Sequence, residues 1–302
     1  MSYKVTAVIV TYNKVDLLKE CLSNLISFKE LLSKIIVVNN ASTDDTEEYL
    51  KKLLIKESVL DVQTEAKNLG GAAGFNVGIK KAMENNPDSV WVMDDDTIPT
   101  IDTLKKLIEA KDWLEKRKQS WGLLASNVRW IDGNAANMNI PLSFRDWNRS
   151  LNPFLVSIEH SSFVSMFINA STIKKVGFPI KEFFIWGDDL EYSNRISALL
   201  PCYCVTNSFV THKMGANQKA DIFKDSPDRV SRYFYDVRNN FYICRKRSKK
   251  NAFNYAVGVL LKCVRVLFSG KGSFPKFNIL IKGFFAGLFF NPKVEKYQDN
   301  KR

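Results

Sequence analysis

The sequence has few of the residues that cross-link small folds or form zinc sites. Its 302 residues include five cysteines, an odd number with no C-x-x-C pair, and only two histidines. This pattern excludes a disulfide scaffold and a cysteine zinc cage, and it favours a reducing compartment. Cys202 and Cys204 are separated by a single residue, which fits a strand rather than a zinc knuckle.

Long apolar runs are also missing. No stretch reaches the ~20 apolar residues that a membrane-spanning helix needs. The first apolar run, Val5 to Val10, is short and leads directly into T-Y-N, so we expect a buried strand there rather than a secretory signal. With 45% hydrophobic and 25% charged residues, the chain can bury a sizeable core, which excludes general disorder.

Acidic residues are absent from most of the last quarter of the chain. Residues 237–294 contain 12 Lys and Arg and no Asp or Glu, whereas residues 1–236 contain 29 basic and 30 acidic residues. The formal charge of +12 therefore belongs to the C-terminal region alone. A generally basic, nucleic-acid-binding globule is excluded, since such a protein carries its charge across a recognition surface.

Strand and helix patterns alternate through the first 100 residues. This alternation predicts βαβ units and a mostly parallel sheet with helices on both faces. Ligands of such sheets bind beyond the carboxyl ends of the strands, where this sequence places T-Y-N, N-A-S-T-D-D, N-L-G-G-A-A-G and D-D-D. Further along we expect a helix at 101–117, a loop and helix around 183–199, and strands near 121–130, 163–169 and 202–210.

Three consecutive aspartates end the predicted strand at 89–93. In extended backbone, alternate side chains share a face, so Asp94 and Asp96 converge while Asp95 points elsewhere. Adjacent carboxylates repel each other unless a cation lies between them, and hard divalent ions prefer such oxygen ligands. The strand-end position favours a metal site over a solvated acidic turn.

Two other motifs each allow two interpretations. Residues 68–74 (NLGGAAG) resemble a phosphate-binding loop, yet they match neither G-x-G-x-x-G nor the P-loop, so a tight strand-to-helix turn is the alternative. Residues 186–191 (WGDDLE) place carboxylates beside an indole that could stack on a sugar. Partial desolvation would suit a general base there, although D-D-x-E is also typical of a helix N-terminus.

His212 follows the last predicted strand and precedes K-M-G. A lone histidine is commonly structural. The alternative is a third ligand beside Asp94 and Asp96, and this would favour Mn²⁺ over Mg²⁺ because imidazole suits softer ions.

The C-terminal region combines positive charge with amphipathic helices. R-K-R-S-K-K at 245–250 precedes a helical apolar face running from Phe253 to Phe268, and residues 277–290 are very apolar. Basic residues beside such segments indicate a module that binds an anionic membrane surface. A packed helical appendage or a contact in a homo-oligomer remains the alternative, and nucleic acid is not expected as a partner.

The ordered strings VTAVIVTYN, IIVVNNASTDDT, NLGGAAGFNVG and VWVMDDD, followed by WGDDLE and THKMG, resemble glycosyltransferase family 2. Within that family the chain looks most like bacterial galactofuranosyltransferases, with rhamnosyltransferases close behind. The resemblance implies an α/β GT-A fold, with a Rossmann-like sheet and a C-terminal helical extension. It also implies a nucleotide-sugar-binding half at 1–100 and an acceptor-binding half at 101–240, followed by a membrane-associating region at 241–302.

The resemblance also implies roles for individual residues. The residues expected at the nucleotide-sugar site are Thr11, Tyr12, Asn13, Asn40, Asp44, Asn68, Gly71, Asp94 and Asp95. The expected metal ligands, for Mn²⁺ or Mg²⁺, are Asp94, Asp96 and His212. Asp189 resembles the catalytic base, with Asp188 and Glu191 supporting it or holding acceptor hydroxyls, and Trp186 is expected at the acceptor.

The expected function is that of a metal-dependent, inverting hexosyltransferase at the cytoplasmic face of the membrane. The expected donor is UDP-galactofuranose, and the expected acceptor is a hydroxyl of a lipid-linked or growing cell-surface polysaccharide. One alternative is a rhamnosyltransferase that uses dTDP-rhamnose. An alternative of another class is a catalytically inactive subunit that binds a nucleotide-sugar or acts as a scaffold.

Overall fold

A computed structural model describes residues 3–148, 150–270 and 272–298. One mixed sheet forms its centre. Its strands are β1 Val5–Thr11, β2 Lys34–Asn39, β3 Leu60–Thr64, β4 Ser89–Asp94, β5 Thr97–Ile98, β6 Leu123–Arg129, β7 Leu142–Ser143, β8 Leu155–His160, β9 Met166–Asn169 and β10 Cys202–His212.

Helices cover both faces of the sheet and form the C-terminal region. They are α1 Val15–Ser27, α2 Thr46–Lys56, α3 Gly71–Glu84, α4 Ile101–Lys116, α5 Ala170–Val176, α6 Asp188–Ser197, α7 Pro227–Val230, α8 Tyr233–Arg247, α9 Lys249–Leu267 and α10 Ser273–Phe289. Single turns of 3-10 helix lie at Lys29–Leu31 and Lys181–Phe183.

The first four long strands are parallel in the order β3-β2-β1-β4. All seven residues of β1 are buried, and alternate side chains serve opposite faces. Ala7 and Ile9 pack with α1 and α4, whereas Val8 and Val10 pack with α3. Gly74 lets α3 approach closely, since a Cβ there would lie 2.5 Å from Val10 Cγ1. This half follows the predicted βαβ pattern.

The second half of the sheet is mixed rather than parallel. β9 lies antiparallel between β4 and β6, and β10 pairs parallel with β6 but antiparallel with β5 and β8. The β5–β10 pairing sets His212 opposite Thr97, one residue beyond the aspartate triplet. The topology thereby joins two motifs that are more than 100 residues apart in the chain.

The loop and helix expected around 183–199 are present. Helix α6 begins at Asp188, because Phe184, Trp186 and Gly187 have positive φ angles that no right-handed helix accommodates. The strand expected at 163–169 begins at Met166, after Ser165 with φ +58°.

Helices α8, α9 and α10 pack on one another around Val237, Val259, Cys263 and Leu280. Helix α8 runs across the predicted boundary at residue 240, and its Tyr242 and Ile243 pack against Phe183. Across the described ranges, no helix has both the length and the hydropathy that crossing a bilayer requires. The division into domains remains a prediction.

Candidate active site

The ends of β1 and β4 bring the T-Y-N segment against the aspartate triplet. Asp95 Oδ2 accepts hydrogen bonds from Thr11 Oγ1 (2.9 Å) and from the Tyr12 backbone N–H (3.3 Å). Asp95 is therefore hydrogen-bonded to the start of the loop after β1.

Asp94, Asp96 and His212 form the cluster anticipated from the sequence. One ligand atom of each lies within 4.8 Å of the others. His212 Nε2 lies 2.9 Å from Asp96 Oδ1, and Nδ1 lies 2.8 Å from Asn139 Oδ1. Since an amide oxygen only accepts, it holds the proton on Nδ1 and turns Nε2 towards the carboxylates. Two carboxylates and an oriented imidazole fit a divalent cation such as Mn²⁺.

The carboxyl groups of Asp94 and Asp96 differ strongly in pKa. Burial, reinforced by the charge of Asp96, raises the pKa of Asp94 to about 7. Burial acts on Asp96 in the same direction, but the hydrogen bond and charge of His212, together with Lys14, outweigh it and hold the pKa of Asp96 well below its ordinary value. The Lys14 ammonium lies 2.7 Å from Asp96 Oδ2 and 3.4 Å from Asp95 Oδ1, so it already offsets part of the clustered charge.

Side-chain hydrogen bonds connect the loops that follow β1, β2 and β3. Asn13 Oδ1 accepts from the Thr43 backbone N–H (2.7 Å), and Asp44 Oδ2 accepts from that of Val15 (3.0 Å). Asn40 accepts from the Leu69 backbone N–H and donates to Asn68 Oδ1 at 3.1 Å. The predicted nucleotide-binding residues thus form one continuous rim, although several of their polar atoms are occupied by one another.

A cavity of about 610 Å³ lies beside this rim, and we call it the carboxylate cavity. It takes in the predicted metal cluster as well as the predicted base and acceptor residues. The predicted residues that line it are Gly71, Asp94, Asp95, Asp96, Trp186, Asp188, Asp189 and His212. Thr11, Tyr12, Asn13, Asn40, Asp44 and Asn68 lie outside this lining, on or behind the rim.

Asp188 and Asp189 begin α6 at the wall of this cavity. Burial raises the pKa of Asp189 to about 6, and burial together with the charge of Asp189 raises that of Asp188 well above its ordinary value. A carboxyl group with a pKa near 6 is able to take a proton in neutral solution and release it again. Asp189 therefore has the chemistry of a general base.

Glu191 differs from the expectation that it supports the base or holds the acceptor. Both its oxygens are 2.9 Å from Arg195, which also donates to the Val176 and Phe178 carbonyls. Glu191 is not part of the cavity lining. A glutamate one helical turn before an arginine forms this ion pair readily, so the geometry favours a structural role.

Sequence reasoning missed several residues that the fold brings to the cavity. Lys14, Asn139, Arg229 and Arg232 line it, and three of them are basic, with Lys14 paired with Asp96 and Arg229 with Asp225. Lys14 directly follows the T-Y-N motif and could have been considered from its position. The other three carry no sequence signal, because their place depends on how distant loops fold over the sheet.

Comparison with known proteins finds a family match over part of the chain. Residues 6–117 match the sequence model described as glycosyl transferase family 2. The galactofuranosyltransferase GlfT1 of Mycolicibacterium smegmatis is 25% identical over 269 residues, which cover 79% of this chain and 82% of the relative.

Two solved structures share the fold. The mannosyltransferase PcManGT from Pyrobaculum calidifontis, in complex with GDP-Man and Mn²⁺, aligns with a TM-score of 0.57 at 16% identity and covers 95% of this chain and 88% of its own. Residues 1–349 of TarS from S. aureus, in complex with UDP, align with a TM-score of 0.54 at 17% identity over 93% and 70% of the two chains. The family match, the relative and the shared fold agree with the geometry of the cavity: the chain is a glycosyltransferase with the GT-A fold, and its residues 6–117 match glycosyl transferase family 2.

Proposed function

We propose that this chain is a metal-dependent, inverting galactofuranosyltransferase that uses UDP-galactofuranose as its donor. The observation that carries the proposal is the presence, in one cavity, of a cation-binding cluster and a separate aspartate with the pKa of a general base. The similarity to GlfT1 supports the choice of sugar.

In this proposal the rim binds the nucleoside and the cavity binds the diphosphate and sugar. Thr11, Tyr12 and Asn13 line the nucleotide, with Asn40 and Asp44 near the base and ribose. Asn68, Gly71 and Asp95 lie near the ribose diphosphate. Asp95 keeps the loop after β1 in place through Thr11 and Tyr12.

Asp94, Asp96 and His212 would hold Mn²⁺ or Mg²⁺, which when bound supplies Lewis-acid stabilisation of the diphosphate leaving group. Lys14, Arg229 and Arg232 add positive charge from the protein itself around the same leaving group.

Asp189 receives the proton of the acceptor hydroxyl as that oxygen bonds to the anomeric carbon and the bond to UDP breaks. A single displacement inverts the anomeric configuration and needs no covalent nucleophile. Burial and the charge of Asp189 raise the pKa of Asp188, which disfavours a second negative charge beside the base. Trp186 provides an apolar wall for the acceptor, a saccharide or lipid-linked glycan.

We further propose that the protein works at an anionic membrane surface, with residues 1–240 as the catalytic part and 241–302 as the membrane-associating part. The outward residues Phe253, Val257, Leu260, Leu261 and Val264 form what we call the outer face of α9, and each is at least 40% exposed. The same stretch of chain contains the basic residues Arg245, Lys246, Lys249, Lys250, Lys262 and Arg265, and charge complementarity therefore favours an acidic bilayer at the cytoplasmic side as the occupant of this face.

A donor screen tests the catalytic proposal. The full chain is incubated with Mn²⁺ and, in turn, UDP-galactofuranose, UDP-galactopyranose, UDP-glucose and dTDP-rhamnose, and release of the nucleoside diphosphate is followed with and without a saccharide acceptor. We expect the fastest release from UDP-galactofuranose and full loss of release in EDTA. Preference for dTDP-rhamnose would replace the donor, and binding of UDP without release from any donor would support an inactive subunit.

A further inference from the structure

The segment that leads into Asp188 and Asp189 has an unusual backbone. Phe184 has φ +65° and ψ −64°, and the Ile185 N–H donates to the Phe183 carbonyl at 2.8 Å, which makes Phe184 the centre of a γ-turn with positive φ. Trp186 follows with φ +63° and Gly187 with φ +82°. Bulky residues keep such conformations only where surrounding contacts impose them.

The Asn239 side chain supplies three of the hydrogen bonds that hold this segment. Asn239, in α8, is fully buried, and its Nδ2 donates to the carbonyls of Phe183 (2.9 Å), Ile185 (3.1 Å) and Trp186 (2.8 Å). Its Oδ1 accepts from Arg238 Nε at 2.9 Å. Three acceptors on the nitrogen side and one donor on the oxygen side define which way the amide is turned.

The remaining contacts hold the same turn from other directions. The Phe184 carbonyl accepts from the Ala72 N–H at 3.1 Å, and Gly70 leaves room for it, since a Cβ there would lie 2.2 Å from that oxygen. Arg238 Nη2 donates to the carbonyls of Glu182 and Phe183. The turn therefore lies between the first residues of α3 and α8. Among the described residues, only Asn239 donates hydrogen bonds to three of its carbonyls.

We propose that Asn239 is a positioning residue for glycosyl transfer, which acts by holding the backbone of residues 183–187 so that Asp189 faces the acceptor hydroxyl. Asn239 does not line the carboxylate cavity, so its effect passes through the loop. The Gly187 carbonyl, next to the bonded Trp186 carbonyl, accepts from the Glu191 N–H at 2.8 Å and so sets the first turn of α6. The inference rests on the proposed role of Asp189 as the base.

The test uses the full chain with Asn239→Ala and Asn239→Asp. The aspartate keeps the size of the side chain but loses both N–H donors. With saturating donor and acceptor, we expect kcat to fall about 10²-fold in both variants, the loss that follows a displacement of about 1 Å in a reacting group, while the affinity for UDP is retained. Asn127→Ala removes a comparable amide, which donates to the Thr206 carbonyl away from the cavity, and should leave kcat unchanged.

Hydrogen exchange followed by mass spectrometry distinguishes positioning from general damage. Peptides covering residues 183–191 should exchange faster in both Asn239 variants, whereas the strands keep their parental rates. In the Asp189→Asn background, Asn239→Ala should lower the residual rate no further. Folded variants with parental kcat and parental exchange at 183–191 would overturn the proposal.

A measurement on the parent chain applies even if both variants fail to fold. The Ile185 and Ala72 amides should exchange as slowly as those of the central strands, and fast exchange of Ile185 would contradict a held turn. Full transfer by Asp189→Asn alone would instead refute the base assignment, and the exchange data would still decide whether Asn239 holds the loop.

Discussion

The carboxylate cavity and the outer face of α9 differ in whether their charged groups are balanced by neighbouring residues. The cavity buries acidic groups together, and its residues compensate one another through Lys14, His212 and raised pKa values. The outer face of α9 leaves apolar side chains exposed to solvent, in a segment, residues 237–294, that contains 12 basic and no acidic residues.

Because of this difference, the two regions are expected to bind different partners. A cluster of buried carboxylates is stabilised by a small cation and by basic side chains that the fold itself supplies. An exposed apolar face with one sign of charge has no such partner within the described chain, and a large anionic surface satisfies both of its properties at once. Damage to the cavity should therefore abolish chemistry, and damage to the face should alter location alone.

The largest expected effect separates the two regions by activity. Asp189→Asn should lower the transfer rate about 10³-fold, since a positioned base of this kind contributes on that order, while UDP affinity and vesicle binding remain parental. Asp16→Asn, on the exposed surface of α1, is the matched control. Parental transfer by Asp189→Asn in a nucleoside-diphosphate release assay would contradict the proposal that the cavity carries out the chemistry.

The second-largest effect is expected on metal binding, from the substitution of Asn139, which is not itself an expected metal ligand. Asn139→Ala removes the acceptor that orients His212 and should weaken Mn²⁺ binding about 10- to 100-fold, as loss of an outer hydrogen bond commonly does. Asp96→Asn should weaken it further. The measurement is the free Mn²⁺ signal in electron paramagnetic resonance, and equal affinities in all three proteins would contradict the cluster.

The pH dependence follows from the burial of Asp189. Because its pKa is raised to about 6, the base is protonated in more acidic solution, and the transfer rate should fall about tenfold for each pH unit below that value. The folded chain then binds this proton more tightly than the unfolded chain, so the ionised carboxylate destabilises the fold in neutral solution. Asp189→Asn should accordingly raise the Tm at neutral pH, and an unchanged or lower Tm would argue against the raised pKa.

The outer face of α9 should respond only in binding. The double substitution Leu261→Glu and Val264→Glu adds negative charge to it and should weaken binding to acidic phospholipid vesicles about tenfold, without loss of transfer to a soluble saccharide. Ile55→Glu, at a more exposed position on α2, is the control and should bind as the parent does.

Co-sedimentation at two salt concentrations measures this effect, and binding should weaken as salt rises. Equal binding to neutral and acidic vesicles would remove the electrostatic part of the proposal. A sedimentation coefficient that rises with protein concentration in the parent but not in the double variant would assign the face to contact between copies of the chain.

The smallest expected effect concerns the counter-charge inside the cavity. Lys14→Met removes the ammonium that faces Asp95 and Asp96, and since that side chain is partly exposed the loss in unfolding free energy should be about 1 kcal/mol. Mn²⁺ should reduce the difference between variant and parent, because it supplies the same kind of charge. An equal difference with and without Mn²⁺ in thermal unfolding would show that Lys14 stabilises the fold in some other way.

Local sequence patterns were sufficient to predict two of the central strands. Val5 to Val10 and Ser89 to Met93 are short apolar runs that end in polar motifs, so period, length and ending alone locate two central strands and the site at their ends. The sequence also predicted a loop and helix around 183–199, because D-D-L-E is a good helix start. The positive φ angles of Phe184 and Trp186 in that loop have no signature in their side chains.

The sequence by itself determined the parallel first half of the sheet, the aspartate triplet at a strand end and the separation of charge between the two regions. Each depends on residues that are neighbours in the chain. Only the tertiary structure decided that Asn139 orients His212, that Glu191 pairs with Arg195 and that Asn239 reaches three carbonyls of one turn. Those contacts join segments through strand order and helix packing, and a side chain carries no local mark of the distant backbone it will meet.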